Sequence, residues 1–122
     1  RELRRQSLAG EAQRLLAERP ETPAVVVSVY NAWSGDELRG LAQALVAQRP
    51  CVALLAARGE QAQLVFAQSD GLPHDIPALL RDAVARLEGK GGGKGNLAQG
   101  AGSRLQDLDA VLERAACAVR AR

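Results

Sequence analysis

Lys90 and Lys94 are the only lysines among 122 residues, and they bracket the triplet Gly91, Gly92 and Gly93. Both lie in the run Gly89-Lys90-Gly91-Gly92-Gly93-Lys94-Gly95-Asn96-Leu97-Ala98-Gln99-Gly100-Ala101-Gly102, while every other basic residue except His74 is arginine. Between Arg86 and Arg104 the positive charge is opposed only by Glu88. Consecutive glycines after a helix can take positive φ and admit another molecule without obstruction by a Cβ. Their successive N–H groups can form an anion-binding nest, and two flanking ammonium groups add charge at the same place. Such a loop suits phosphate, the group that dominates protein–nucleic acid affinity. A plain glycine linker between two helices is the simpler alternative, but Asn96, Ala98 and Gln99 are specific company for a linker.

Other phosphate motifs fail on spacing. A P-loop needs glycine five positions before Gly93, where Glu88 stands, and Ser or Thr after Lys94, where Gly95 stands. Gly93, Gly95 and Ala98 match a dinucleotide pattern, but they follow a predicted helix and not a strand. Asp70, His74 and Asp75 form a loop trio without a nucleophile, read as hydration and capping. Cys51 and Cys117 each stand alone in apolar surroundings, as buried reduced thiols would in the cytosol. Two distant cysteines and the single His74 make no metal set. The expectation is a binding domain with no catalytic residue, metal or cofactor of its own.

The elements that must hold the run follow from periodicity. Residues 1–19 carry Leu3, Leu8, Ala12, Leu15 and Leu16 on a narrow stripe, predicting a helix that either docks or continues upstream as a linker. Pro20 and Pro23 bracket a loop. Ala24–Tyr30 is apolar on both faces, which predicts a central strand. Ser34 with Glu37 forms a capping-box pattern ahead of Leu38, Leu41, Ala42, Leu45 and Val46 on one helical face, and Pro50 ends that helix. Cys51–Ala57 is a second buried strand, parallel to the first through a right-handed crossover. Gly59 marks a hairpin to an antiparallel strand at Leu64–Ala67. Pro77 opens a helix along Leu80, Val84 and Leu87 that Gly89 terminates. Leu97–Gly102 is short enough for an edge strand, and Ser103 with Gln106 repeats the capping-box pattern before a final helix through Leu105, Leu108, Leu112, Ala115, Ala116 and Val119. The fold class expected is α/β (α+β), a mixed sheet of four to five strands flanked by helices.

Composition bounds the function. Apolar residues make up 47% of the chain, enough for one core and against wholesale disorder. No run approaches the roughly 20 apolar residues of a membrane span, and the polar start has no signal-peptide core. The first residue is arginine and methionine is absent throughout, which reads as a domain of a longer protein. The net charge of +2 decides nothing by itself. Tyr30, Trp33 and Phe66 are the only aromatic side chains, and two of them fall in predicted strands. Stacking platforms for single-stranded RNA are therefore scarce, and recognition of folded RNA by shape and backbone is the better fit.

The glycine run resembles the signature of the DHH-associated domain, in the form found at the C-terminus of alanyl-tRNA synthetases and in alanyl-tRNA editing proteins. Lys90, Gly91, Gly92, Gly93, Lys94, Leu97, Ala98, Gln99 and Gly102 match it residue by residue. Departures fall at Gly95, where proline is usual, at Asn96, where aspartate is usual, and at Glu88 and Ala101, where glycine is common. A looser likeness runs over residues 24–120. DHH phosphoesterases carry histidine where this chain has Lys94, so the basic residue favours the tRNA-linked branch.

Beside the helix or linker helix expected over residues 1–19, the resemblance implies an RNA-binding domain over 20–122, cytoplasmic, contacting folded tRNA, with alanine tRNA expected. It implies a parent chain, ligase or deacylase, whose aminoacylation or editing domain lies elsewhere. Lys90 and Lys94 would bind phosphate, Gly91, Gly92 and Gly93 would allow close approach, and Asn96 and Gln99 would bond ribose or order the loop. Two alternatives are a homodimerisation module of the same parent and the substrate-binding domain of a phosphoesterase.

Overall fold

The computed structural model describes residues 2–19 and 24–121, with side chains from Leu8 onward. The loop bracketed by Pro20 and Pro23, and the side chain of Leu3, lie outside the described residues. Helix α1 (Glu2–Ala17) leads to strand β1 (Ala24–Asn31), helix α2 (Gly35–Gln48), strands β2 (Cys51–Arg58) and β3 (Ala62–Gln68), and helix α3 (Ile76–Arg86). Strands β4 (Lys90–Lys94) and β5 (Leu97–Gly102) follow, then a 3₁₀ turn (Leu105–Asp107) and helix α4 (Leu108–Arg120). The five strands form one mixed sheet in the order β1-β2-β3-β5-β4, with β1 and β2 parallel and the other pairs antiparallel.

Side chains alternate across the sheet and build two cores. Val52, Leu54 and Ala56 of β2 join Leu64 and Phe66 of β3 under α3 and α4. Cys51, Ala53, Leu55 and Ala57 join Val65 and Ala67 under α1 and α2. Because both faces are covered, β1 is apolar on both faces, yet it is an edge strand and not the central one its composition suggests. Two-sided apolarity reports coverage by helices, not rank within the sheet.

Local signals explain most boundaries. Ser34 Oγ accepts from the Glu37 N–H at 3.1 Å while Glu37 Oε1 accepts from the Ser34 N–H at 2.9 Å, completing the capping box of α2. Asp75 caps α3 through the Ala78 N–H at 3.1 Å, with proline in its first turn. The second capping-box pattern does not form: Ser103 and Arg104 donate their N–H groups to Leu87 O, and α4 begins only after the 3₁₀ turn. The end of α3 thus holds the chain where Ser103 would have capped.

Helix α1 docks through Leu8, Ala12, Leu15 and Leu16. The Arg49 guanidinium donates to the carbonyls of Leu16 and Arg19 near its C-terminus. The Tyr30 hydroxyl donates to Glu11 at 2.6 Å. Arg14, hydrogen-bonded to the Glu11 carboxylate, holds that carboxyl below its ordinary range. Burial, then the bond to Glu11, pushes the Tyr30 phenol up to about 12. Cys51 is a buried thiol whose pKa burial raises, whereas Cys117 is exposed on α4, off the stripe of Leu112, Ala115, Ala116 and Val119. Among the described residues no helix is long and apolar enough to cross a membrane.

Candidate nucleic-acid interface

The glycine run is a β-hairpin. Its entry is set by Glu88 at φ 57, the left-handed residue that ends α3 in the place expected of Gly89. Gly91, Gly92 and Gly93 are extended, with Gly92 opposite Gln99 and Lys94 opposite Leu97. Among the glycines of the run only Gly95, in the two-residue turn, has positive φ, at 64°. The triplet itself therefore has no left-handed residue of the kind that a nest of successive N–H groups uses. Close packing requires Gly91: a Cβ there would lie 2.6 Å from Gly100 Cα and 2.8 Å from Leu80 Cδ1. Gly93 is likewise closed against the backbone of Leu97 and Ala98. Helix α3 presses on this face of the hairpin.

The other face is open. Lys90, Gly92 and Lys94 share it by strand alternation, and nothing lies within 4 Å of a Cβ built on Gly92. Helix α2 covers β2 and β3 but leaves β4 bare. Strand β4 has no partner on its outer side, so β4, and not β5, is the edge. An edge strand presents unpaired backbone N–H and C=O groups, here with three residues lacking side chains.

Charge is concentrated at the same place. Lys90 and Lys94 are exposed, and among the described residues neither side chain makes an ion pair or hydrogen bond. Most arginines are engaged: Arg39 with Asp36, Arg58 with Asp109, Arg86 and Arg114 with Asp82, and Arg104 with Glu88 and Asp107. Arg81, exposed on α3, is also unpaired among the described residues.

The remaining predicted residues divide. Gln99 lies on the open face, beneath the start of α2: its Nε2 fills the space a Cβ on Gly35 would need, 2.5 Å away. Its Oε1 accepts from Arg39 Nη1 at 3.5 Å. Asn96 is an anchor: its amide donates to Asp70 at 2.7 Å and accepts from Gln68 at 3.0 Å. Gln68, only 4% exposed, also exchanges hydrogen bonds with the His74 backbone, joining the hairpin turn to the loop before α3. Arg39 and Gln68 escaped the sequence reading. A polar residue closing the apolar run Leu64–Ala67 was the available sign for Gln68, while Arg39 lies 60 positions from Gln99 and gave none. Among the described residues no three His, Cys, Asp or Glu side chains gather as metal ligands would.

The DHHA1 domain signature matches residues 21–121. The chain belongs to the DHHA1 domain family. This DHHA1 domain is 33% identical over 124 aligned residues to an alanine–tRNA ligase of Chlorobaculum tepidum, covering 93% of the chain and 14% of the ligase. A 76-residue alignment to the alanine–tRNA ligase of Methanoregula boonei is 38% identical, covering 62% of the chain and 8% of that protein. The chain thus spans a small part of the relatives it matches. Its fold is that of the C-Ala domain from Aquifex aeolicus alanyl-tRNA synthetase, with a TM-score of 0.72 and 24% identity over 78% of this chain and 89% of that one.

Proposed function

We propose that this DHHA1 domain is the C-terminal tRNA-binding module of a cytoplasmic alanyl-tRNA synthetase-related or editing protein, holding alanine tRNA for an aminoacylation or editing domain elsewhere in the parent. Chemistry belongs to that other domain, and the role of this one is contact. The observation that carries the reading is the β4 edge: Lys90 and Lys94, whose side chains are unpaired among the described residues, flank Gly92 on an open face that would admit a phosphodiester backbone. Homology to alanine–tRNA ligases supports tRNA as the nucleic acid. Gln99, opposite Gly92, would bond ribose or help to order the face beside it, while Asn96 orders the turn.

Homodimerisation through the same edge is less well supported. Two β4 strands paired antiparallel about Gly92 would set Lys90 of one copy opposite Lys94 of the other. Like charges directly opposed destabilise a strand pair, and lysines on an edge strand discourage such pairing.

The test is binding of alanine tRNA across salt concentrations. The double variant Lys90→Ala/Lys94→Ala is expected to weaken binding and to reduce the slope of log K against log salt by about 2, roughly 1 per phosphate contact. An unchanged slope would take β4 out of the interface.

A further inference from the structure

The register of the β4–β5 hairpin decides which backbone groups of the glycine run face outward. Lys94 pairs with Leu97 across the two-residue turn of Gly95 and Asn96, and the closing pair of such a turn is a hydrogen-bonded one. Bonded and non-bonded pairs alternate along an antiparallel ladder. Lys94, Gly92 and Lys90 therefore turn their N–H and C=O groups inward to β5, and Gly93 and Gly91 turn theirs out. Two further observations agree. A Cβ built on Gly91 would lie 2.6 Å from the Cα of Gly100, its partner, and one on Gly93 would lie 2.4 Å from the Cα of Ala98, whereas one on Gly92 would meet nothing within 4 Å. Substituents that point at the partner strand belong to residues whose N–H and C=O point away from it. Exposure follows the same alternation: Gly91 and Gly93 are exposed even though α3 and β5 close on them, while Gly92, with its open face, is only partly exposed. What solvent reaches at Gly91 and Gly93 is the outer edge of the backbone.

That edge carries two donors and two acceptors. Gly91 and Gly93 lie two residues apart, roughly 7 Å along the strand, between the ammonium groups of Lys90 and Lys94. Among the described residues nothing outside the hairpin hydrogen-bonds to either glycine. A phosphodiester backbone answers the lysines and the N–H groups, because its oxygens accept. It cannot answer the carbonyls, because a phosphodiester at neutral pH has no proton to give. The donor that an RNA backbone owns and a DNA backbone lacks is the ribose 2′-OH. Pressed against DNA, the carbonyls of Gly91 and Gly93 are stripped of water and left without a partner, at a cost. Pressed against RNA, they gain one.

We propose that the outer edge of β4 recognises ribose: the carbonyls of Gly91 and Gly93 accept from 2′-OH groups of the bound RNA, and their N–H groups donate to its oxygens. This rests on the tRNA reading and adds to it the feature by which the domain tells RNA from DNA. The lysines attract any polyanion, and the carbonyls between them select the one that carries hydroxyls.

Amide hydrogen exchange of the isotope-labelled 122-residue chain tests the edge first. In the free chain Gly91 and Gly93 should exchange much faster than Gly92 and Lys94, whose N–H groups are held by β5. Equal protection at all four positions would overturn the proposed orientation. Bound to an alanine tRNA transcript, Gly91 and Gly93 should slow at least several-fold. The hydroxyls are tested with transcripts carrying single 2′-deoxynucleotides at random positions, separated into bound and free fractions and mapped. The expected result is depletion of the deoxynucleotide from the bound fraction at one or two positions. A transcript made with the substitution at such a position should bind about two- to tenfold more weakly, the scale of one hydrogen bond. Its slope against salt should not change, because no phosphate is lost. Binding that still depends on Lys90 and Lys94 but shows no deoxynucleotide depletion, or no protection of Gly91 and Gly93, would overturn the ribose edge and leave the tRNA reading intact. A chain that binds no alanine tRNA even at low salt would overturn both.

Discussion

The sheet has two halves built on opposite principles. From β1 to β3 the strands are filled with Val, Leu, Ala and Phe, and helices cover both faces. From β5 to β4 the strands are mostly glycine and alanine and one face lies under α3; on the other face Leu97 and Gln99 of β5 still meet the α2 side of the molecule, while β4 carries only two lysines and Gly92. The first half is held by what its side chains bury. The second is held by what its residues lack, because α3 can close on the hairpin only where Gly91 and Gly100 present no Cβ. Stability and ligand access are thereby assigned to different strands of one sheet.

The largest effect that can test this division lies in the packed half. Phe66→Ala, in a fully buried side chain at the centre of β3, is expected to cost about 3–5 kcal/mol in denaturant-induced unfolding. Where the variant still folds, the slope of tRNA binding against salt should not change, and a lost slope would mean the two halves are not separable. Within the hairpin the contrast sharpens to adjacent residues. Gly91→Val should destabilise by about 1–3 kcal/mol through overpacking against Gly100 and Leu80. Gly92→Ala, facing open space, should be within about 0.5 kcal/mol of the parent. Equal losses at the two positions would refute the face assignment.

The smallest effect concerns the tie between α1 and β1. Tyr30 is the sole tyrosine, and its phenol pKa is raised to about 12 in the folded chain, against an ordinary value of 10.0. A raised pKa means the folded state holds this proton more tightly. Its contribution to stability is therefore fully present below pH 10.0 and lost as pH climbs through about 12. Near-UV absorbance should show Tyr30 ionising late. Tyr30→Phe should remove that part of the alkaline loss of stability, and ionisation at the ordinary value would mean that the phenol is neither buried nor bonded to Glu11 in solution.

What was legible in the sequence tracks the amount of side-chain information in each stretch. The crossover from β1 to β2 and the hairpin to β3 could be read because valine, leucine and alanine runs are broken by Pro50 and Gly59. The start of α2 could be read because Ser34 and Glu37 form a capping pair that needs only local geometry. In the glycine run, Leu97–Gly102 could be read as a short strand but Lys90–Lys94 could not, since three consecutive glycines carry no alternation from which a period could be counted. The same kind of local pattern at Ser103 misled, because Leu87 O, 16 positions away, competes for the N–H groups there. The edge position of β1, the reach of Arg39 to Gln99 and the bracing of Trp33 by Tyr30 depend on strand order and on contacts across the sheet, and no single stretch of sequence encodes them.

The pairing of Gly91 with Gly100 beneath α3 also limits how this chain can change over generations. Each already has the smallest residue available, so enlargement of one cannot be offset by shrinking the other. Trimming Leu80 or Val84 on α3 would not relieve it either, because backbone atoms of the paired strand lie as close to each glycine as those side chains do. Drift at these two positions therefore meets a dead end, while Gly92 beside them is left open to variation by the fold and is constrained only by whatever comes to rest against it.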